Sequence, residues 1–330
     1  MEQENNMSNI TLHFPTEVVG SNAMEKLWLS KNALTAVEFP AGTTSIDGMM
    51  FNGQTALASV TLDASLERIG STNENAIPNP NEAQSNNVGV FSGTTSLTSI
   101  TFPSSLKSIS NFAFAGSGLT SVSIGKNVRK IGKKAFAADA SLASVTYTLA
   151  VYDNGSPQYA SQVRVSGLGT FMDCSSLTSV TINHDNSVNG NYGMTQYSLP
   201  ERMFANCTSL EVLDIDEPIQ FIGSGFVYGC TNLKKLILRN PNVVEIFNYS
   251  TSYDDMSEWP SQCVIYVPDD LVSSYSAADY KGSKGSTNGS EYTRCALENG
   301  QSASVKLSYG KKWKAFYDAG RLKPISELNS

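Results

Sequence analysis

Residues 119–142, LTSVSIGKNVRKIGKKAFAADASL, set a pattern that the rest of the chain repeats. The apolar positions are Leu119, Val122, Ile124, Val128, Ile131, Ala135 and Phe136, and Leu142 begins the next copy. The same line reads Leu34, Val37, Phe39, Ile46, Met50, Phe51 upstream, and then Leu97, Ile100, Phe102, Leu106, Ile109, Ala113, Phe114. Downstream it returns as Leu210, Leu213, Ile215, Ile219, Ile222, Phe226, Val227. The intervals Leu34 to Leu57, Leu119 to Leu142 and Leu210 to Leu233 are equal. Such a period means a solenoid, because one unit is too small to bury its apolar face except against its neighbours.

Eight repeats can be placed, starting at Leu34, Leu57, Leu97, Leu119, Leu142, Leu177, Leu210 and Leu233. Residues 1–8 are polar and expected to be disordered. Residues 9–33 carry a degenerate copy, as terminal repeats that cap a core do. The solenoid proper is 34–260, with insertions near 71–90, 148–162, 183–198 and 248–260. The first of these is Asn/Pro-rich and reads as a loop. The segment VTYTLAVYDNGSPQYASQVRV alternates on both sides of Asn154-Gly155, which predicts a β-hairpin returning at Val163 and Val165. Insertions 148–162 and 183–198 leave at the same point of consecutive repeats, so they should emerge side by side on one edge. Residues 261–330 form a C-terminal cap with a flexible Gly/Ser-rich stretch at 281–290. In that cap VIYVP reads as a strand, Asp269-Asp270 as a helix N-terminus, and Trp313, Phe316 and Tyr317 as a helix stopped by proline.

Within one repeat, Leu119, Val122 and Ile124 point into a core while Thr120, Ser121 and Ser123 point outward from a strand. The Ala-Phe segment then forms a turn or short helix opposite. Phe51, Phe91, Phe114, Phe136, Phe171 and Phe204 should become a buried stack. The fold class is therefore α/β: a β-rich solenoid, a curved horseshoe with a parallel sheet on the concave face, short turns or helices opposite, and caps at both ends.

The unit LxxVxIPxxLxxIxxxAFxxCxxL resembles the BspA-like leucine-rich repeat family of bacterial surface proteins, whose repeats fall in the window of about 20–29 residues. Here it reads LTSITFPSSLKSISNFAFAGSGL at 97–119 and LTSVSIGKNVRKIGKKAF at 119–136. IYVPDDLVSSY and the later WKAFYDAGRLKPISEL are similar to the family's closing segment, here pushed apart by 277–312. The resemblance implies an extracellular or cell-surface location and adhesion to a protein or glycan ligand, including host extracellular proteins.

Charged residues are 16% of the chain and the net charge is −7. That argues against nucleic acid, which requires a clustered basic face. No apolar run approaches a membrane span. The N-terminus shows neither a basic n-region nor an apolar h-region, so either the chain is not exported by that route or a leader was removed. Cys174, Cys207 and Cys230 each lie three residues after the Ala-Phe position, where other repeats carry Gln54, Thr94, Ser117 and Asp139. Recurring with the period, they predict a column of small, half-buried, reduced side chains. A zinc site would need Cys or His pairs two to four residues apart, and no metal or cofactor is expected.

Catalysis has few candidates. The two histidines are His13 and His184, the latter beside Asp185 in an insertion. Asp214, Asp216 and Glu217 cluster on and after the repeat-seven strand, where paired carboxylates could serve a glycosidase or simply stay solvated. The outward row Thr61, Thr101, Ser123, Thr146, Thr181 is a hydroxyl ladder suited to docking. A non-catalytic binding module, monomeric, is the leading reading. Its ligand would lie on the concave sheet and insertion edge, at Thr146, Thr181, Tyr152, Asn154, Tyr159, His184, Tyr192 and Tyr197. A structural spacer and a glycan-active enzyme are the alternatives.

Overall fold

The computed structural model describes residues 10–13, 34–46, 50–70, 89–128, 130–149, 165–184, 198–216, 219, 221–223, 225–241, 243–246, 259–276 and 311–329. Strands form where β-branched or apolar residues alternate with hydroxyls and a neighbouring repeat pairs with them, and Ser121–Ile124 shows the result, exposed and buried by turns. Seven strands make one all-parallel sheet: Ser121–Ile124, Ser144–Leu149, Ser179–His184, Val212–Ile215, Lys235–Leu238, Val264–Val267 and Leu322–Pro324, in that order. The pairing of Ser144–Leu149 with Ser179–His184 carries the stack past residue 150 without a division. Ile10–His13, Leu34–Glu38 and Ser59–Thr61 form a separate parallel sheet at the N-terminal end. Repeat three, whose sequence predicts a strand like the rest, makes none at 98–103.

A second face carries two-residue strands. Ser45–Ile46, Arg68–Ile69, Ser108–Ile109, Lys130–Ile131 and Val165–Ser166 form one sheet, and Ser198–Leu199, Phe221–Ile222 and Glu245–Ile246 another. This corrects the predicted hairpin at Val165; Val163 and the Asn154-Gly155 turn lie outside the described residues. Val165 pairs in parallel with Lys130 of the previous repeat, so it opens the second face of repeat five and is not a returning arm. After this strand the backbones approach closely: a Cβ on Gly167 would lie 2.2 Å from the Lys133 nitrogen.

The opposite side is made of turns; among the described residues, helices occur only in the C-terminal cap. Gly53, Gly93, Gly116, Ala138, Asp173, Asn206 and Gly229 hold equivalent left-handed positions in their turns, with φ between 57° and 72°, and in five of these turns a second left-handed residue stands four earlier, at Phe112, Lys134, Gly169, Arg202 and Gly225. Only a residue in that region lets the chain reverse so tightly. The next repeat's carbonyl then accepts the turn N–H, as Ala115 O does from Gly93 and Ala137 O from Gly116.

Phe51, Phe91, Phe114, Phe136, Phe171 and Phe204 stack at centroid spacings of 5.2 to 5.7 Å with planes within 15°. Phe226 joins the row edge-on to Phe204 at 81°. All seven are buried.

At the C-terminal end, Trp259, Tyr275, Trp313 and Phe316 close the core in edge-to-face and tilted contacts. Trp313 Nε1 donates to Val244 O, and Tyr275 Oη accepts from Val244 N–H. The helix Lys311–Asp318 ends at Gly320, with φ of 69° and the Arg321 N–H returned to Phe316 O. Glycine rather than proline stops it; Pro324 sits instead in the edge strand, where a missing N–H is harmless. Asp269 and Asp270 stand in the first turn of the short helix Asp269–Leu271, as expected; the Asp269 carboxylate also accepts from the Ser326 side chain and N–H, which lower its pKa.

Candidate ligand-binding face

The outward residues of the strand face fall into straight rows because all strands are parallel and in register. One row runs Ser121, Ser144, Ser179, Val212, Lys235, Val264. The next runs Ser123, Thr146, Thr181, Asp214, Ile237, Tyr266, Lys323. The candidates Thr146 and Thr181 are thus direct neighbours, both exposed, and Ser123 extends them. Thr61 belongs to the other sheet, opposite Glu38, and Thr101 to the stretch of repeat three that forms no strand, so of the expected ladder of five hydroxyls three stand in one row and two stand apart.

Chemistry changes along the rows at repeat seven. Asp214 is held by Arg239, whose Nε and NH2 donate to its two oxygens at 2.8 and 2.9 Å. That bond raises the Arg239 pKa. The Asp214 carboxylate is thereby committed to a bidentate ion pair, while Asp216 is exposed. Glu217 lies outside the described residues. Val212 stays exposed, whereas Lys235 donates to Leu328 O and lies 5.9 Å from the Tyr266 ring. Arg239 was invisible in the sequence as a site residue; the available signal was its position two residues beyond Ile237, the register partner of Asp214.

Repeats five and six differ from the others at the edge. Their strands Ser144–Leu149 and Ser179–His184 run six residues against four in repeats four, seven and eight. The extra length is paired, Thr148 with Asn183 and Leu149 with His184. The insertions therefore start from one reinforced ledge. Tyr152, Asn154, Tyr159, Tyr192 and Tyr197 lie outside the described residues, and of His184 only the backbone is described.

The thiol column is more deeply buried than its half-buried expectation. Cys174, Cys207, Cys230 and also Cys263 are fully buried and unbridged. Each of the first three donates its S–H to a phenylalanine carbonyl of the preceding repeat: Cys174 to Phe136, Cys207 to Phe171, Cys230 to Phe204, at 2.9–3.2 Å. Burial pushes the Cys263 thiol up to about 12 and Cys174 well up, and contact with Cys230 raises Cys207. Protonated and enclosed, these are structural thiols, not nucleophiles. Among the described residues no group of three or more His, Cys, Asp or Glu side chains is arranged to hold a metal ion, and no helix is long and apolar enough to cross a membrane.

Residues 22–73, 71–195 and 169–259 match the family model described as BspA type leucine rich repeat region, in six copies. No curated protein matches the chain. Among solved structures it is similar to a leucine-rich repeat protein of T. pallidum, at 21% identity over 62% of this chain and 79% of that one, with a TM-score of 0.41. A leucine-rich repeat protein from Bacteroides ovatus shares 16% identity over 72% and 75%, with a TM-score of 0.28. A leucine rich cell surface protein from Faecalibacterium prausnitzii shares 16% over 77% and 91%, at 0.24. Repeats of this kind typically mediate protein binding. With the period, the parallel stack and the family model covering most of its length, the chain belongs to the BspA-type leucine-rich repeat family.

Proposed function

We propose that the chain is a non-catalytic binding module, displayed outside the cell or on its surface, that holds a protein ligand on its hydroxyl-rich strand face and on the insertions of repeats five and six. The observation that carries this reading is the paired two-residue extension of those two strands, which roots both insertions on one rigid ledge beside Thr146 and Thr181. Loops on a rigid scaffold are where recognition concentrates. Tyrosine, asparagine and glycine, the composition of Tyr152, Asn154, Tyr159, Tyr192 and Tyr197, bind adaptably at low entropic cost. Host extracellular matrix proteins are the partners to try first, with a glycan array in parallel.

The test replaces 148–162 and 183–198 by the short turn of repeat four, Gly125-Lys126-Asn127. Saturable binding of the parent to an immobilised matrix protein, lost in the double-trimmed chain at unchanged melting temperature, supports the reading. Equal binding by both chains removes the ledge as the site. Binding to glycans alone reassigns the ligand, and no binding by the parent leaves a spacer.

A further inference from the structure

We infer that the gap in the strand face between repeats two and three is a slot for an uncharged, extended peptide, which completes the sheet through its main chain. It stands apart from the ledge of repeats five and six and does not depend on that reading.

The gap is confined to the strands. On either side of it the two repeats are tightly joined: Phe51 stacks on Phe91 at 5.3 Å, Arg68 pairs with Ser108, and Ser105 Oγ donates to Leu66 O at 2.7 Å. Between these clamps, Ser59–Thr61 pairs with Leu34–Glu38 on one side only. The bond Phe39 N–H to Thr61 O has no counterpart between Leu62 and Thr101. Residues 99–102 make no ladder bond to Ser59–Thr61 or to Ser121–Ile124 among the described residues. Val60 and Ile100 are half-buried, while their counterparts Val122, Val145 and Val180 in the closed ladder are buried. The opening encloses about 390 Å³, within the range of ligand sites of about 300–1,000 Å³.

The lining selects the occupant. Ser59, Thr61, Ser99 and Thr101 supply hydroxyls, Val60 and Ile100 apolar flank, and none of the described lining residues is charged or aromatic. A sugar ring would find no aromatic platform and an anion no cation. What remains directional is the free main chain of two strand edges, and the group that matches it is another main chain. The slot also continues an interface the molecule already uses, the parallel ladder between repeats, so a peptide with the repeat's own alternation of hydroxyl and β-branched residues suits it.

The probe is the capped synthetic heptapeptide LTSVSIG, a copy of residues 119–125, titrated into the full ¹⁵N-labelled chain. The expected result is saturable shifts at the Val60, Leu62 and Thr101 amides and slowed hydrogen exchange at Leu62 and Thr101. Thr101→Pro deletes an N–H that has no ladder partner in the free chain. It should weaken the peptide about tenfold, the effect of one lost hydrogen bond, while Thr101→Val binds as the parent does. Unchanged exchange at Leu62 and Thr101 in saturating peptide overturns the proposal, whether or not Thr101→Pro folds. So does equal binding by a folded Thr101→Pro chain, or by a peptide with both serines replaced by aspartate.

Discussion

Two buried columns run side by side along the repeat axis and behave differently. The aromatic column holds phenylalanine at one repeat position from Phe51 to Phe204; in repeat seven Val227 takes that position and Phe226 brings its ring from one residue earlier. The column three residues further on reads Gln54, Thr94, Ser117, Asp139, Cys174, Cys207, Cys230, Cys263, all buried, and passes from polar side chains to thiols halfway along. Each ring is fixed in shape by a neighbour above and below, and a close-packed interior tolerates little else. The second column must mainly bring a donor to a carbonyl or to its neighbour. Thr94 Oγ1 supplies Phe91 O, Ser117 Oγ supplies Asp139 Oδ2 at 2.6 Å, and the cysteines supply Phe136, Phe171 and Phe204. Shape fixes a residue's identity; a hydrogen-bond requirement fixes only a function that several residue types can serve.

The sharpest way to break this contrast is at Phe136, stacked between Phe114 at 5.2 Å and Phe171 at 5.4 Å. Phe136→Ala should cost about 3–5 kcal/mol in denaturant unfolding, transfer and cavity together. A loss below about 1 kcal/mol would mean that the stack relaxes and is not held by shape.

Asp139 comes next, because it is the one ionisable carboxyl in the second column. Burial raises its pKa to about 7, against the bonds from Ser117 and Ser141 that favour the anion. Its folded value lies above its unfolded one, so the folded state binds the proton more tightly. Stability is then greatest below pH about 4 for this group and falls as pH rises to about 7, by on the order of 4 kcal/mol. Melting temperatures of the parent and Asp139→Asn, followed from pH about 4 to 8, should converge at the acid end and separate at the alkaline end, with the variant the more stable. Parallel curves would remove Asp139 from the account.

The thiols allow a finer cut. Cys230→Val fills the space but leaves Phe204 O with the Cys207 N–H alone, at a cost of about 0.5–1.5 kcal/mol for the lost bond. Cys230→Ser keeps a donor where Thr94 shows that a hydroxyl serves, so it should stay within about 1 kcal/mol of the parent. If valine is the better tolerated, the column is held by volume after all.

The smallest effect is a gain. Ala138 occupies the left-handed turn position that is glycine in four other repeats, at φ of 57°. Ala138→Gly relieves that strain at some entropic cost and should stabilise by about 0.5 kcal/mol, read as a small rise in denaturant midpoint.

The same contrast explains what could be read before the structure. The phenylalanine row and the repeat starts were legible because shape writes one residue type at one interval. The open strand of repeat three was not: LTSITFP is as good a strand sequence as LTSVSIG, and whether a ladder closes depends on the neighbour across it. The hairpin reading failed at Val165 because alternation marks a strand but not its partner. Proline at 324 drew attention from Gly320, which ends the helix by its left-handed φ. At the candidate face, Thr146 and Thr181 were legible from periodicity, whereas the Asp214–Arg239 pair joins residues of different repeats that only the register brings together.

The way the sheet is sealed at its C-terminal end also sets an order of events during synthesis. Val264–Val267 has its outer partner in Leu322–Pro324, and Arg321 holds the Cys263 carbonyl across 58 residues of sequence. At about 5–20 residues per second, the ribosome delivers that partner seconds after the repeats have stacked. Until then the last strand edge and the Trp259 and Tyr275 rings face water. A nascent chain that stops anywhere in between lacks the outer partner of Val264–Val267, so the C-terminal end of the sheet is the last part of the fold to close.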